Sequence, residues 1–364
     1  MRYLMIILLG LCSALPANAK AEVEADKSAA RIMVYFTVGR DSAPATNVTA
    51  AQFEAHLKAL KTGNYNVMAL SKIINAYEKG KSLPAKTVAI TFDGGDKSII
   101  RTAAPLLSRH KIPYTVFIAP ARADADDPRY LNWADIKSLE KSPLVSFGLH
   151  PEEYKDFSYS SEETIRLRLN NATARLRNQL SDKIDIFSFP FGEYTKKYQD
   201  IVSSYGFKAA VGQSSAVAYN ETNRFALPRF TMVEDYANIE RFDMTASSLP
   251  LPVNDVSPIT SHINTSNPSI GFTVGEDIES LNGLSCFTSG HGRTALNIIG
   301  DRRVEIRLKR PIDESRFRVN CTLPVIDSTD SENNSWRWFG LLLSVNDTVL
   351  EKAMNQPKDK STQD

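Results

Sequence analysis

Residues 87–96 read TVAITFDGGD, an unbroken run of apolar and β-branched residues that ends at Asp93 and is followed by two glycines and a second aspartate. Such a run is typical of a strand that is buried on both faces of a parallel sheet. In parallel α/β folds, the side chains that perform chemistry lie at the carboxyl ends of the strands. Asp93 is therefore the first candidate for a functional residue.

Strands and helices alternate on both sides of this run. The sequence predicts further strands at 31–38, 114–120, 144–150, 186–192 and 208–213, with helices between them at 49–63, 132–141 and about 160–180. Alternation of this length indicates a parallel sheet with crossover helices, either open or closed into a barrel.

The pattern changes after about residue 250. Residues 251–269 are rich in Pro, Ser, Asn and Thr, which predicts a linker. Short alternating runs between turn residues then predict a β-rich domain at 270–348. Its Trp336 and Trp338 lie two positions apart, on one face of a strand, where they would either stack on sugars or pack in the core. The polar tail, 349–364, is predicted to be disordered.

The N-terminus has the features of a signal peptide. One early cation, Arg2, precedes an apolar stretch through Leu11 and the cleavage pattern Ala17-Asn18-Ala19. The apolar stretch is short for a membrane anchor. We therefore expect cleavage after Ala19, a periplasmic or secreted mature protein, and no membrane span after cleavage.

The charge balance and the cysteines of the chain indicate which partners and which compartment to expect. The chain has 364 residues, with 43 Lys and Arg against 42 Asp and Glu, so its overall charge gives no reason to expect nucleic acid as a partner. Cleavage would leave Cys286 and Cys321 as an even pair in an oxidising compartment. Either a disulfide or two buried thiols fits this pair.

Three predicted strand ends carry groups suited to catalysis. They are Asp93, His150 after VSFGL, and the turn Pro190-Phe191-Gly192. Each also has a structural interpretation, as a helix cap, a hydrogen-bonded surface histidine and a plain turn. Because all three lie at strand ends, the functional interpretation is favoured, and together they fit a hydrolase that uses metal-bound water.

Four segments, in order, resemble one family. TVAITFDGGDKS, VSFGLHPEEYKDF, IDIFSFPFGEYTKKYQDIVSSYGFKAAVGQ and RFALPRF are similar to the polysaccharide deacetylases of the NodB-homology type, nearest the poly-N-acetylglucosamine branch. The resemblance covers residues 30–250. It implies a distorted (β/α) barrel with fewer than eight strands, followed here by the small β-rich domain. It also implies an exported N-acetylated polysaccharide as substrate and hydrolysis of the N-acetyl amide bond.

The resemblance assigns roles to matching positions. Asp93 takes the place of the general base, and His150 that of a histidine ligand of a divalent metal such as Zn²⁺. The backbone N–H of Phe191 takes the place of an oxyanion donor, which any residue can supply. The neighbouring residues of this loop, expected to contact substrate, are Pro190, Gly192 and Tyr194.

The chain departs from the family at the metal site. Gly94 stands where the family has a metal-binding aspartate, and Tyr154 where it has a second histidine. One imidazole binds Zn²⁺ poorly, since catalytic zinc normally has three protein ligands, so we expect weak or absent metal binding. Stand-in ligands would come from three nearby acids, which otherwise are solvated groups near helix starts: Asp96, Glu152 and Glu153.

Other family features are also missing. Ser188 stands where many relatives have an arginine. The general acid is not identifiable, and the remaining histidines are expected to be bystanders: His56, His110, His262 and His291. Two functions follow as alternatives. The protein is either an N-deacetylase with a rebuilt or metal-free site, or an inactive relative that binds glycans or acts as a scaffold.

Overall fold

The computed structural model describes residues 23–151, 153, 157–181, 183–325 and 335–354. The predicted signal peptide, the tail from 355 onward, and two residues of the predicted metal site, Glu152 and Tyr154, lie outside these residues. In the described part of the chain, no helix is both long enough and apolar enough to cross a membrane.

The first part of the chain is an α/β unit. Its strands are β1 (Ala30–Tyr35), β2 (Thr37–Val38), β3 (Asn47–Val48), β4 (Asn66–Val67), β5 (Thr87–Asp93), β6 (Tyr114–Ile118), β7 (Val145–Leu149), β8 (Ile186–Ser188), β9 (Ala209–Val211) and β10 (Phe230–Thr231). Its helices are α1 (Ala50–Thr62), α2 (Leu70–Glu78), α3 (Ala104–His110), α4 (Pro120–Asp124), α5 (Trp133–Glu140), α6 (Glu162–Gln179), α7 (Lys196–Ser203) and α8 (Ile239–Ser247).

The main sheet is parallel and curls towards closure. Its strand order is β10-β1-β5-β6-β7-β8-β9, and β4 adds to β5. Leu227 bridges to Val211 beside β9, and Phe230 in β10 pairs with Met33 in β1, so residues 227–231 contact both edges of the sheet. This arrangement confirms the distorted barrel, but with β4 its sheet has eight strands, whereas fewer than eight were expected.

Local sequence explains the strands and helices that position the site. All seven residues of β5 are buried, as its continuous apolar run predicts. Helix α1 begins at a capping box, in which Thr49 and Gln52 satisfy each other's backbone N–H groups. His56 in this helix is fully buried and stacks on Phe242 with ring centroids 4.1 Å apart, and burial lowers the pKa of His56 to about 4.

The second part is the predicted β-rich domain. Its strands are β11 (Leu249–Pro250), β12 (Val253–Ser257), β13 (His262–Ile263), β14 (Ile270–Val274), β15 (Ser285–Thr288), β16 (Gly292–Ile299), β17 (Arg303–Arg307), β18 (Arg316–Pro324) and β19 (Trp336–Val345), and helix α9 (Asp347–Met354) follows. These strands form one sheet in the order β11-β19-β18-β15-β16-β17-β14-β12, with β13 paired to β19.

Two sequence-based boundaries differ from the structure. Residues 251–269, predicted as a linker, contain β12, which pairs with β14, and β13, which pairs with β19. The β-rich sheet therefore begins about twenty residues earlier than predicted. The predicted disordered tail begins inside helix α9, which extends to Met354. The sequence does not reveal β12 and β13, because short edge strands can form from turn-forming residues and need few strongly β-forming ones.

The β-rich domain decides between the alternatives for the two cysteines and for Trp338. Cys286 and Cys321 are directly opposed in β15 and β18 and form a disulfide. Trp338 is only 5% exposed and packs edge-on against Phe230 of the barrel, with ring centroids 5.2 Å apart. Trp338 therefore belongs to the core that joins the two parts of the chain, while Trp336 is half-buried.

Candidate active site

Asp93 lies at the carboxyl end of β5, as expected, but its carboxylate is already paired. Arg229 donates from Nη1 to Oδ1 at 2.7 Å and from Nη2 to Oδ2 at 2.6 Å, and neither side chain has any exposed surface. Two parallel N–H···O bonds are the strongest geometry for this pair. Both carboxylate oxygens are thus engaged by one guanidinium.

The closing segment of the barrel places Arg229 there. Leu227 bonds to the β9 edge and Phe230 to the β1 edge, so Arg229, in the short segment between them, lies at the barrel end where it reaches Asp93. Arg229 also donates from Nε to the Gly212 carbonyl at 2.7 Å and from Nη2 to Ser188 Oγ at 3.0 Å. Ser188, at the position of the family's arginine, therefore belongs to this buried network.

The electrostatics of Asp93 follow from this network. Burial acts to raise the pKa of the Asp93 carboxyl, but the Arg229 guanidinium and His150 outweigh it and hold that pKa far below its usual range. A carboxylate stabilised this strongly is a weak proton acceptor, because a general base works best with a pKa near the working pH.

His150 also lies beside Asp93. Its Nδ1 is 2.9 Å from the Ser188 carbonyl oxygen, so Nδ1 carries the proton, and its Nε2 is 3.7 Å from Asp93 Oδ1. The ring is fully buried and edge-on to Phe117. The structure thus brings together two of the predicted residues, Asp93 and His150.

The two glycines after Asp93 make a tight left-handed turn. Gly94 has φ 87° and Gly95 has φ 65°, a conformation that favours glycine. The turn delivers Asp96 to an ion pair with Arg40, while the other oxygen of Asp96 accepts a bond from the Ser98 backbone N–H at 2.8 Å. Both Asp96 oxygens are therefore engaged, one by Arg40 and the other by the Ser98 backbone N–H.

The Pro190-Phe191-Gly192 turn has a constrained backbone. Phe191 has φ 58°, and Gly192 has φ 76°. A Cβ at Gly192 would lie 2.5 Å from the backbone nitrogen of Gln213, so glycine is required there. The Phe191 side chain is 36% exposed and reaches the pocket described below. The oxyanion role predicted for the Phe191 backbone N–H stays a prediction.

Tyr194 lies elsewhere. Its ring packs against Phe189 with centroids 4.8 Å apart, and burial raises the pKa of Tyr194 to about 12. It lines a separate cavity of about 450 Å³, at the junction with the β-rich domain, that includes Trp338. Pro190 is buried. The substrate contacts predicted for Tyr194 and Pro190 stay predictions.

A pocket of about 420 Å³ opens above Asp93. Its described lining residues come from both parts of the chain: Phe36, Thr37, Arg40, Ala43, Ala45, Thr46, Asp93, Gly94, Asp96, Arg122, Tyr130, Phe191, Gln213, Thr231, Val233, Arg316 and Arg318. Aromatic rings and hydrogen-bonding groups in one concave surface are typical of a sugar site. The β-rich domain supplies one wall through Arg316 and Arg318.

The described side chains around Asp93 do not make a metal site. Among the described residues, no group of three His, Cys, Asp or Glu side chains is placed to hold a metal ion. Asp93 is bound through both oxygens by Arg229, and Gly94 supplies no side chain. Glu153 lies 3.9 Å from Arg168, and Asp96 pairs with Arg40. The described residues therefore do not supply the ligand set that the resemblance implies for a divalent metal.

Comparison with known proteins identifies the barrel. Residues 80–210 match the sequence model of the polysaccharide deacetylase family. This part of the chain is a polysaccharide deacetylase domain. The poly-beta-1,6-N-acetyl-D-glucosamine N-deacetylase of Staphylococcus aureus is 24% identical over 213 residues, which cover 56% of this chain and 73% of that protein.

Solved structures share the fold of this deacetylase domain. The Streptococcus pyogenes deacetylase PplD, in complex with acetate, superposes with a TM-score of 0.56 at 18% identity, covering 60% of this chain and 98% of that one. IcaB from Ammonifex degensii superposes with a TM-score of 0.53 at 22% identity, covering 60% and 97%. The family and fold predicted from the sequence are confirmed.

Sequence reasoning missed two parts of this site. Arg229 lies in RFALPRF, a segment that carried the resemblance without a role. A charged residue inside an apolar segment was the available signal, since a buried arginine needs a buried acid. The pocket wall formed by Arg316 and Arg318 had no such signal, because β18 reads only as an alternating strand.

Proposed function

We propose that this protein binds N-acetylated glycans in the groove of its deacetylase domain and that the groove does not perform the family's metal-dependent hydrolysis. The observation that carries the proposal is the two-bond contact of Arg229 with Asp93, beside a glycine at the position of the metal-binding carboxylate. The buried groups that would do the chemistry form a closed network instead.

The ligand class comes from the relatives and from the pocket. A relative in Staphylococcus aureus is named for poly-beta-1,6-N-acetyl-D-glucosamine. The pocket here combines the rings of Phe36, Tyr130 and Phe191 with polar groups. Rings supply apolar faces for pyranose C–H groups, and polar groups bind the hydroxyls. With the predicted signal peptide, the ligand is an N-acetylated polysaccharide outside the cytoplasm.

A second function, N-deacetylation, has its own supporting observation. Asp93 still lines the pocket, and Phe191 turns towards it in a left-handed backbone conformation. These are the base and oxyanion positions that the resemblance assigns. In this function, a ligand entering the pocket would have to draw Asp93 away from Arg229 before the carboxylate could accept a proton.

The deciding experiment measures binding, metal and acetate on one preparation of mature protein. We expect binding of N-acetylglucosamine oligomers, loss of zinc on dialysis against a chelator, and no acetate release. Stoichiometric zinc that survives the chelator, together with acetate release lost in Asp93→Asn, would overturn the proposal in favour of the enzyme. That result would also point to Asp96, Glu152 or Glu153 as ligands.

A further inference from the structure

The wall of the pocket is strongly basic. Among its described lining residues are four arginines, Arg40, Arg122, Arg316 and Arg318, and two acids, Asp93 and Asp96. A neutral sugar polymer carries no anionic group that could pair with these arginines. The balance of these charges therefore bears on the chemistry of the ligand.

Both acids are already neutralised. Asp93 is paired by Arg229, which is buried behind the pocket, and Asp96 is paired by Arg40 at its rim. Neither carboxylate is therefore left to balance the arginines of the opposite wall.

The opposite wall keeps positive charge. Arg316 contacts Glu193 at 3.0 Å, whereas Arg318 donates from Nη1 to the Gln213 carbonyl at 2.8 Å. A carbonyl accepts a hydrogen bond without cancelling a full charge. Arg318 thus gives this surface positive charge. The guanidinium of Arg122 lies over the Tyr130 ring at 4.3 Å and donates to the Gly94 carbonyl.

Arg318 lies in an environment that disfavours its positive charge. Burial, together with the positive charges of Arg316 and Arg241, lowers the pKa of Arg318 to about 10. A cation that is both desolvated and repelled by its neighbours gains most from an incoming anion. Arg318 lies on the interior strand β18, between β15 and β19.

The groove continues past Arg318. A second cavity of about 280 Å³ shares Thr231, Val233 and Arg318 with the first pocket. It adds Arg241 and two exposed rings, Tyr236 (56% exposed) and Phe287 (46% exposed). The combined groove suits several sugar units, and Arg318 lies at the junction of its two halves.

We propose that this groove selects an anionic glycan, in which the sugar above Asp93 neighbours a sugar that carries a carboxylate or a phosphate bound by Arg318. The proposal rests on the glycan-binding function proposed above and adds the charge of the ligand. Guanidinium groups form paired hydrogen bonds with carboxylates and phosphates, which makes arginine the suitable residue for either group.

Calorimetric titration with three probes at low and high salt tests this. The probes are a tetrasaccharide of alternating glucuronate and N-acetylglucosamine, a neutral N-acetylglucosamine tetramer, and N-acetylglucosamine 6-phosphate. We expect the glucuronate tetrasaccharide to bind at least about tenfold more tightly than the neutral tetramer at low salt, with the difference shrinking at high salt. Tighter binding of the phosphate probe instead would identify phosphate as the anion.

Variants locate the effect. Arg318→Gln should lower affinity for the charged probes by a much larger factor than affinity for the neutral tetramer, and Arg318→Lys, which keeps the charge but loses the paired hydrogen bonds, should do so to a smaller extent. The matched control is Arg307→Gln, which removes an exposed arginine of β17 that lines neither cavity. Unfolding curves establish that each variant is folded, and Arg318→Lys carries the test if Arg318→Gln does not fold.

The outcomes separate the two proposals. Equal or tighter binding of the neutral tetramer by wild type would overturn the anionic preference and leave the glycan-binding function intact. Binding of none of the three probes would count against the glycan-binding function itself. A charge preference that Arg307→Gln reduces as much as Arg318→Gln does would mean that only the overall charge of the protein matters, and would overturn the assigned site.

Discussion

The floor of the pocket, formed by Asp93 and Arg229, and the wall that carries Arg316 and Arg318 differ in how their charges are balanced. On the floor, Asp93 and Arg229 are fully buried, and each satisfies the other through two hydrogen bonds. On the wall, Arg318 donates to a carbonyl oxygen, which leaves its charge uncancelled. The floor is closed to new partners, whereas the wall offers charge to a ligand.

This difference separates two uses of the same fold. Residues at catalytic positions can persist because they hold the barrel end together, since removing one member of a buried ion pair leaves the other charge stranded. Binding residues on the wall need no such internal partner. The presence of Asp93 and His150 in the sequence is therefore weaker support for catalysis than the groove is for binding.

Rebuilding a metal site on the floor of the pocket should have the largest effect, because the floor would then bind a new partner as the wall is proposed to do. Gly94→Asp combined with Tyr154→His supplies the two ligands that the resemblance requires alongside His150. We expect zinc affinity to rise by orders of magnitude, because a three-ligand set replaces one imidazole. Competition with a chromogenic chelator measures this rise.

Stability limits this design. Gly94 has φ 87°, where a side chain costs roughly 1–2 kcal/mol, so we expect the variant to unfold at lower urea concentration than wild type. Gly94→Ala with Tyr154→His carries a similar backbone cost without the carboxylate and is the matched control. Zinc affinity that rises equally in both variants would show that the introduced carboxylate is not a ligand. If the designed variant also releases acetate, Asp93→Asn should abolish that release.

The second prediction tests whether the floor is structural. Arg229→Met should lower the free energy of unfolding by about 3–5 kcal/mol, because it leaves the Asp93 charge buried without its partner. Urea unfolding followed by fluorescence measures the change. Asp93→Leu added to Arg229→Met should recover part of the loss, since it removes the stranded charge.

Arg40→Met is the comparison on the rim. Asp96 and Arg40 form an ion pair with 5% and 24% of their side chains exposed, so water reaches this pair and its loss should cost about 1–2 kcal/mol. If Arg229→Met cost no more than Arg40→Met, the floor would not be the structural network described above.

The sequence predicts the barrel because its signals are local. The apolar run of β5 and the capped helix α1 need no knowledge of distant contacts. Arg229 lies 136 positions after Asp93, so their pairing depends on the closing of the barrel. The strands at 253–257 and 262–263 likewise depend on partners that lie later in the chain. Local composition cannot predict these contacts between distant parts of the chain.

A third prediction concerns the disulfide, which links β18, the strand that carries Arg316 and Arg318, to β15. Cys286 and Cys321 close a segment with a sequence separation of 35. Replacing both by alanine should lower the free energy of unfolding by about 2–4 kcal/mol, mainly through the unfolded chain. Thiol counting on denatured, unreduced periplasmic protein should give no free thiol. Two free thiols per chain would refute the bridge, and unchanged glycan affinity in the alanine variant would show that the wall does not depend on it.

The weakest effect we expect concerns the charge of Asp93 on the floor and is seen through pH. Since the pKa of Asp93 in the folded protein lies below its value of about 3.9 in an unfolded chain, its contribution to stability is fully present above that value. The contribution decreases as pH falls below about 4 towards the folded pKa, because the unfolded chain then binds a proton that the folded protein still excludes.

The difference in unfolding free energy between wild type and Asp93→Asn isolates this contribution, because the two proteins share every other titrating group. We expect a constant difference from pH 7 to about pH 5 and a smaller one at pH 3, measured by urea unfolding at each pH. A difference that already shrinks between pH 7 and pH 5 would mean that the Asp93 carboxyl titrates near neutrality. It would then have the pKa of a working base, and the floor would have to be assigned to catalysis after all.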